Sequence, residues 1–198
     1  MTVDVTTIST QKKSPYIIYS ESTPNPSVMK FVSNKMLASE SKEYLHINET
    51  GQSTLMRKLF TFPFVKEIFI STNYISIKKH ESVDWMDITN QLRIFIQEAL
   101  NNDILIYVSN KTEKNEKKSN KKKSQLINQI EQILDKYIRP GIQMDGGDIE
   151  LVSCEKGVLK VFLKGACSGC PSSQMTLKNG IEEAIKKHAP EIKSIKSI

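Results

Sequence analysis

The chain has 198 residues, of which 38% are hydrophobic and 25% charged, and its formal net charge is +6 at pH 7. This composition predicts a soluble globular protein of one or two domains, and no apolar run approaches the roughly 20 residues of a membrane span. Seven lysines and two glutamates between Ser109 and Ser124 supply +5 of the net charge, which leaves +1 for the rest. Because this run contains no aromatic residue, it favours a solvated linker over a nucleic-acid-binding surface.

The first residues and the cysteine count indicate a reducing compartment. Residues 1–14 contain neither an apolar block nor an arginine, unlike a secretory signal or a typical transit peptide. Three cysteines are an odd number and poor material for a disulfide framework. We therefore expect a cytoplasmic protein that is not attached to a membrane.

Residues 16–108 are predicted to form a first domain of mixed strands and helices, after a disordered terminus over residues 1–15. Strands are expected at residues 16–20, 28–32, 65–70 and 74–78, with a further short strand at 44–47. A short helix is predicted over 53–60, and a longer one runs from Trp85 to about Asn101 with Asp84 as its cap. The two histidines, His46 and His80, are separated in the chain and are assigned no role.

A lysine-rich linker over residues 109–123 precedes a second domain at 124–198. Its predicted order is α-β-β-α-β: a helix from Ser124 that stops at Pro140-Gly141, strands at 149–154 and 158–164, a helix over 171–188, and a last strand within 192–198. The fold class is therefore α+β, with two small two-layer domains. Each domain has its own apolar pattern, so we expect each to fold alone.

Two of the three cysteines, Cys167 and Cys170, form a Cys-x-x-Cys motif among glycines and other small residues. This spacing lets both sulfurs reach one metal centre. Pro171 suits the first position of a helix, where unpaired N–H groups and a partial positive charge favour thiolates. We therefore expect both sulfurs to be accessible and to bind a metal.

Two thiolates do not complete a Zn²⁺ site or a [4Fe–4S] cluster, each of which normally has four protein ligands. His188 follows Cys170 by 18 residues, roughly 27 Å along a helix, and is too far away. Cys154 is expected on the same strand face as Glu150 and Val152, as a buried or half-buried thiol without a ligand role. The simplest completion is a second copy of the chain around a two-fold axis.

Three kinds of chemistry fit this pair of cysteines, and a purely structural role fits less well, because nothing apolar surrounds them in the sequence. An iron–sulfur cluster and a four-thiolate zinc site would use the same arrangement. A thiol–disulfide site of the thioredoxin type also begins with Cys-x-x-Cys at a helix start. Against it, the preceding strand is predicted to belong to a hairpin and not to a βαβ unit.

Longer motifs resemble a known family. Those of the second domain resemble the C-terminal domain of NifU: Ile138-Arg139-Pro140, Asp145-Gly146-Gly147-Asp148, and the runs at 165–173 and 175–182. Those of the first domain resemble, in the same order, the N-terminal domain of Nfu-type proteins: Thr23-Pro24-Asn25-Pro26, Met29-Lys30-Phe31, Arg57-Lys58-Leu59-Phe60 and Asp84-Trp85. Together the two resemblances cover about residues 16–198 apart from the linker.

The resemblance implies a [4Fe–4S] scaffold or carrier, not an enzyme, with Cys167 and Cys170 as the cluster ligands. We expect a homodimer when the cluster is bound, an upstream assembly scaffold as donor, and apo iron–sulfur proteins as recipients. Cys154 matches no family motif and inherits no role. The alternative is a thiol–disulfide oxidoreductase that uses the same two cysteines.

Overall fold

The computed structural model describes residues 14–104, 106, 121–169 and 171–198, and for residues 121–124 and 171–178 it describes the backbone alone. The predicted disordered terminus, up to residue 13, and residues 109–120 of the predicted linker lie outside the described residues. Within them, helices and strands form two separate sheets, which confirms the α+β class. None of the described helices has the length and apolar character needed to cross a bilayer.

The N-terminal half, residues 14–104, is built on a five-stranded antiparallel sheet with the strand order β1-β2-β5-β4-β3. Its strands are β1 (Ile18–Ser22), β2 (Val28–Ser33), β3 (Lys42–Tyr44), β4 (Val65–Ser71) and β5 (Tyr74–Lys79). The predicted β4–β5 pairing is confirmed. The predicted short strand at 44–47 is two residues late, because a 3₁₀ turn already begins at Ile47.

One face of this sheet is covered by the helices α1 (Thr54–Leu59) and α2 (Trp85–Asn101). The buried stripe of α2 has the predicted helical spacing and consists of Ile88, Leu92, Ile96, Ala99 and Leu100. Side chains from both helices join the inward residues of the strands in one apolar cluster. The opposite face of the sheet is therefore left for other contacts.

The C-terminal half, residues 121–198, opens with α3 (Lys121–Ile133), a π-helical turn (Leu134–Ile138) and α4 (Arg139–Met144). The predicted helix end at Pro140-Gly141 is wrong, and the predicted start at Ser124 is three residues late. Pro140 lies in the first turn of α4, where a missing N–H breaks no helical hydrogen bond. The wider π-helical turn before it makes this restart possible.

The rest of the C-terminal half confirms the predicted α-β-β-α-β order, with β6 (Gly147–Glu155), β7 (Val158–Gly165), α5 (Pro171–His188) and β8 (Ser194–Ser197). Strands β6 and β7 form the predicted antiparallel hairpin. Strand β8 pairs with β7 in parallel. The unit β7-α5-β8 is therefore a βαβ crossover. The prediction that the strand before the Cys-x-x-Cys motif belongs to a hairpin and not to a βαβ unit is wrong in its second part.

Cys154 is buried as predicted, with an exposure of 7%. It does not share a face of β6 with Glu150 and Val152, as the sequence predicted, but lies on the opposite face. A register shift between Leu151 and Ser153 inserts a bulge into the strand. Such a bulge interrupts the alternation of side chains. Val152 accordingly stays exposed, whereas Cys154 turns inward and joins the apolar cluster of the C-terminal half.

Candidate functional site

Cys167 lies in a tight turn between β7 and α5, which we call the cysteine loop (residues 165–169). Gly165 and Gly169 have positive φ angles of 64° and 69°, which side-chain-bearing residues rarely adopt. The Ala166 N–H donates to the Gly146 carbonyl at 3.1 Å, which ties the loop to the start of β6. Cys170 lies outside the described residues, and α5 begins directly after it at Pro171.

Cys167 is buried, with an exposure of 2%, and it packs in the apolar cluster of the C-terminal half. The expectation of an accessible sulfur with no apolar surroundings is therefore wrong for this residue. The turn at Gly165 directs the side chain back toward β6. Sequence spacing places Cys167 before a helix, but it does not reveal which way the turn directs the sulfur.

Gly147 provides the space that the Cys167 sulfur occupies. A Cβ atom at Gly147 would lie 2.7 Å from the Cys167 sulfur and 2.6 Å from the Lys164 carbonyl oxygen. Both distances are shorter than van der Waals contact, so only a residue without a side chain fits. The double glycine of the sequence at 146–147 is thus part of the site, a role that the sequence analysis did not assign.

Cys154 lies at the other end of the β6–β7 hairpin, where it pairs with Leu159. Seven residues of strand separate it from Gly147, which at ~3.3 Å per residue amounts to about 23 Å. It therefore cannot share a metal centre with Cys167 of the same chain.

Arg139 and Asp148 hold the start of β6 against the helices. One carboxylate oxygen of Asp148 accepts hydrogen bonds from Arg139 Nε at 3.1 Å and from the Ile149 N–H at 2.8 Å. The Arg139 guanidinium also donates to the Ile149 carbonyl at 3.0 Å, and its other ion pairs are with Glu131 and Asp135. These contacts fix the path of the backbone at Gly147, beside the sulfur.

The N-terminal sheet contacts the cysteine loop through a row of four side chains, which we call the docking row: Lys30, Ser76, Phe69 and Glu43. They are direct cross-strand neighbours on β2, β5, β4 and β3, and they point away from the helices of their own half. The row therefore runs across the sheet face that α1 and α2 leave uncovered.

Five hydrogen bonds between described residues join this face to the C-terminal half. Three of them involve the docking row: Lys30 Nζ donates to the Met144 carbonyl at 3.2 Å, Ser76 Oγ to the Gly146 carbonyl at 2.7 Å, and the Gly165 N–H to Glu43 Oε1 at 2.8 Å. Beside the row, the Tyr74 hydroxyl donates to the Gly147 carbonyl at 2.8 Å, and Asn25 Nδ2 to the Ala166 carbonyl at 3.0 Å. Each bond ends within two residues of Gly146, Gly147 or Cys167.

Burial raises the pKa of the Tyr74 phenol well above its ordinary value. The negative charges of Asp148 and of a Cys167 thiolate act in the same direction, and a hydrogen bond with Ser71 opposes them. Lys30, which is itself buried, lies with its ammonium 5.0 Å from the centre of the Tyr74 ring. A positive charge and a neutral hydroxyl therefore lie close to the cysteine loop.

Burial also raises the pKa of Glu43, and Glu67 adds to this; the hydrogen bond from Gly165 and the charges of Lys164 and Lys78 oppose it. The folded state therefore holds the Glu43 proton more tightly than the unfolded chain does. This tighter proton binding stabilises the folded protein fully below the ordinary pKa of 4.5, and the stabilisation is lost as the pH rises through the raised pKa of Glu43. We expect Glu43→Gln, whose amide oxygen still accepts from Gly165, to increase the free energy of unfolding at pH 7.

Denaturant unfolding at several pH values checks this expectation. The gain in free energy of unfolding from Glu43→Gln should shrink toward zero as the pH falls below 4.5. The same change at the exposed residue Glu40 serves as the control. A variant that is less stable than the parent chain at pH 7 would show that Glu43 is held in its charged form.

The described residues of one chain contain no group of three or more His, Cys, Asp or Glu side chains that could hold a metal ion. Cys167 is thus brought to a defined position beside Gly147, and it belongs to no such group among the described residues. The two histidines of the N-terminal half, His46 and His80, are exposed.

Both halves of the chain match protein-family models. Residues 18–103 match the family described as scaffold protein Nfu/NifU N terminal, and residues 130–196 match the NifU-like domain. The matched ranges together include all eight strands except the last residue of β8.

Three curated relatives share the name "NFU1 iron-sulfur cluster scaffold homolog, mitochondrial". The protein of Drosophila persimilis is 30% identical over 194 residues, which cover 96% of this chain and 68% of the relative. That of Drosophila grimshawi is 31% identical over 189 residues, covering 91% and 61%. The human protein is 30% identical over 183 residues, covering 91% and 71%. This chain thus spans between 61% and 71% of the length of these relatives.

The expectation of a cytoplasmic protein is contradicted by these names, since all three relatives are called mitochondrial. The expectation relied on what residues 1–14 lack. The absence of a leader-like composition is weaker grounds than similarity along most of the chain.

Proposed function

Because the chain belongs to the Nfu family of iron–sulfur cluster scaffold proteins, we propose that it holds a [4Fe–4S] cluster through Cys167 and Cys170 of two subunits. The cluster is cargo that the dimer passes to apo-proteins. An upstream assembly scaffold supplies it. The protein itself catalyses no covalent reaction.

The position of Cys167 is the observation that supports this proposal most. Its sulfur lies against a strand residue without a side chain, and the next element along the chain is the N-terminus of α5. A helix N-terminus favours thiolates and anionic groups. The place is therefore suited to a thiolate-ligated, negatively charged cluster.

Four-thiolate ligation requires a second chain, since one chain supplies Cys167 and Cys170 and Cys154 is too distant. Two copies around a two-fold axis provide four equivalent sulfurs. A cluster at such an interface leaves when thiolates of a recipient replace those of the two subunits. This exchange changes no oxidation state and needs no co-reactant.

A thiol–disulfide oxidoreductase is the second candidate, and the βαβ crossover β7-α5-β8 favours it. In thioredoxin-like proteins a Cys-x-x-Cys motif stands at such a strand-to-helix junction. The two candidates use the same sulfurs, but one binds iron and the other cycles between dithiol and disulfide.

Anaerobic reconstitution with iron and sulfide, followed by sedimentation, separates the two candidates. We expect a brown protein with a broad band near ~400 nm, roughly four irons per dimer, and a shift from monomer to dimer that a chelator reverses. A protein that holds four irons as a monomer would contradict the shared cluster. A colourless protein that reduces a disulfide substrate would support the second candidate.

Three further points belong to the proposal. Residues 16–108 and 124–198 are two domains joined by a linker over 109–123, whose last three residues already belong to α3. The recipients are apo iron–sulfur proteins, and neither nucleic acid nor membrane is a partner. The protein works in mitochondria, as the names of its relatives state for those proteins.

A further inference from the structure

The outer face of the N-terminal sheet is buried although it faces away from the core of its own half. In β5, Ile75 and Ile77 enter that core, whereas Tyr74 and Ser76 point to the opposite side and are nevertheless each 2% exposed. Lys30, on the neighbouring strand, is 8% exposed. Such polar positions on an antiparallel sheet ordinarily face water, so the C-terminal half must cover them.

The part of the C-terminal half that covers this face includes the cysteine loop itself. Phe69 of the docking row lies so close to Gly165 that a Cβ atom there would be 2.7 Å from its ring. Asn25 and Glu43 bind the main chain of Ala166 and Gly165, the two residues before Cys167. The N-terminal half therefore holds the loop that carries a proposed cluster ligand.

We infer that the N-terminal half is a displaceable cap on the cysteine loop, present in the cluster-free chain and released when two chains share a cluster. This inference rests on the proposed function. A shared cluster brings the cysteine loops of two chains together around one small inorganic core. A complete domain lying on each loop occupies space that the partner chain needs, so capping and sharing compete.

The chemistry of the contact suits a cap that opens. Its hydrogen bonds join polar side chains to main-chain groups, and water replaces each of them when the halves separate. The exposed sheet face would then present a hydroxyl, a phenol, an ammonium and a carboxylate to water. Opening therefore leaves only one large apolar side chain of the docking row, Phe69, without cover.

The reactivity of Cys167 toward iodoacetamide measures the cap in full-length, iron-free protein. In a Cys154→Ser, Cys170→Ser background, Cys167 is the remaining cysteine of the chain. Adding Ser76→Gln places a longer side chain against Gly146, where Ser76 Oγ is already 2.7 Å from the carbonyl oxygen. We expect alkylation to accelerate about tenfold or more, because burial limits the reaction to transiently open molecules.

The matched control is Ser20→Gln, the same change at an exposed position of β1 in the same sheet. It should leave the alkylation rate unchanged. Tyr74→Phe keeps the ring and removes only the hydroxyl that binds Gly147, and it should give a smaller increase. If circular dichroism shows that Ser76→Gln does not fold, the comparison of Tyr74→Phe with Ser20→Gln decides the question.

Equal rates in the background protein and in all folded variants would overturn the cap, since the C-terminal half alone would then bury Cys167. An equal acceleration by Ser20→Gln would overturn it as well. Because alkylation is measured without iron, failure of the parent chain to take up a cluster would refute the proposed function and leave this result intact. Normal cluster uptake with equal alkylation rates would refute the cap alone.

Discussion

Replacing either Cys167 or Cys170 with serine will leave the protein without a stably bound cluster. Each substitution removes two of the four sulfurs of the proposed symmetric dimer, and a hydroxyl is a poor ligand for iron in place of a thiolate. The iron content after desalting, measured together with sulfide, should fall from roughly four irons per dimer to background. The fold should persist, because the change at Cys167 replaces one small buried group with another, at a cost of about 1–3 kcal/mol.

Cys154→Ser is a well-matched control for this experiment. Cys154 is 7% exposed and Cys167 2%, and both pack in the same apolar cluster. The loss of stability should therefore be similar, whereas the cluster should remain bound to the Cys154 variant. If that variant loses iron as completely as the Cys167 variant, the proposed ligand set is wrong.

Gly147→Ala should destabilise the protein and weaken cluster binding together. The added methyl group would overlap the Lys164 carbonyl oxygen and the Cys167 sulfur, and β6 and the cysteine loop must separate to admit it. Overpacking of this kind costs about 1–3 kcal/mol in free energy of unfolding. Displacement of Cys167 should also lower the iron content after reconstitution, which a purely structural defect elsewhere would not do.

Gly180→Ala provides the opposite expectation in the same half of the molecule. Gly180 lies within α5, and a Cβ atom there would meet no other atom within 4 Å. Alanine should therefore raise the free energy of unfolding by about 0.5–1 kcal/mol through its better helix propensity. Thermal unfolding of the two variants checks both signs. A Gly147 variant as stable as the parent chain would show that the loop yields without cost.

Elements with a strong local pattern could be predicted from the sequence. The apolar stripe of α2 has helical spacing and its last residue was placed correctly at Asn101, and α5 has the predicted bounds between Pro171 and His188. The hairpin of β6 and β7 is also where turn chemistry predicts it. In each case neighbours in the chain determine the structure, so periodicity and turn residues suffice.

The features that the sequence analysis missed depend on contacts between distant residues. Asn25 and Ala166 are 141 positions apart, and no periodicity reports their hydrogen bond. Pro140 looked like a helix end because the π-helical turn before it leaves no recognised local signal. Cys167 was expected to be accessible, since the direction of its side chain follows from the turn at Gly165 and from the absent side chain of Gly147. Both glycines were visible in the sequence, but their partners were not.

The contact between the two halves constrains the sequence of each half differently. All five hydrogen bonds described between them end on main-chain atoms of the C-terminal half, at residues 144, 146, 147, 165 and 166. The N-terminal half must therefore retain particular side chains, whereas the C-terminal half must retain the course of two loops and the glycines at 146 and 165, where a Cβ atom would meet Ser76 and Phe69. A chimera that joins this N-terminal half to the C-terminal domain of a distant homologue should keep the contact, provided that those loops follow the same course. During evolution, substitutions at the other positions of these loops would rarely require a compensating change in the N-terminal half.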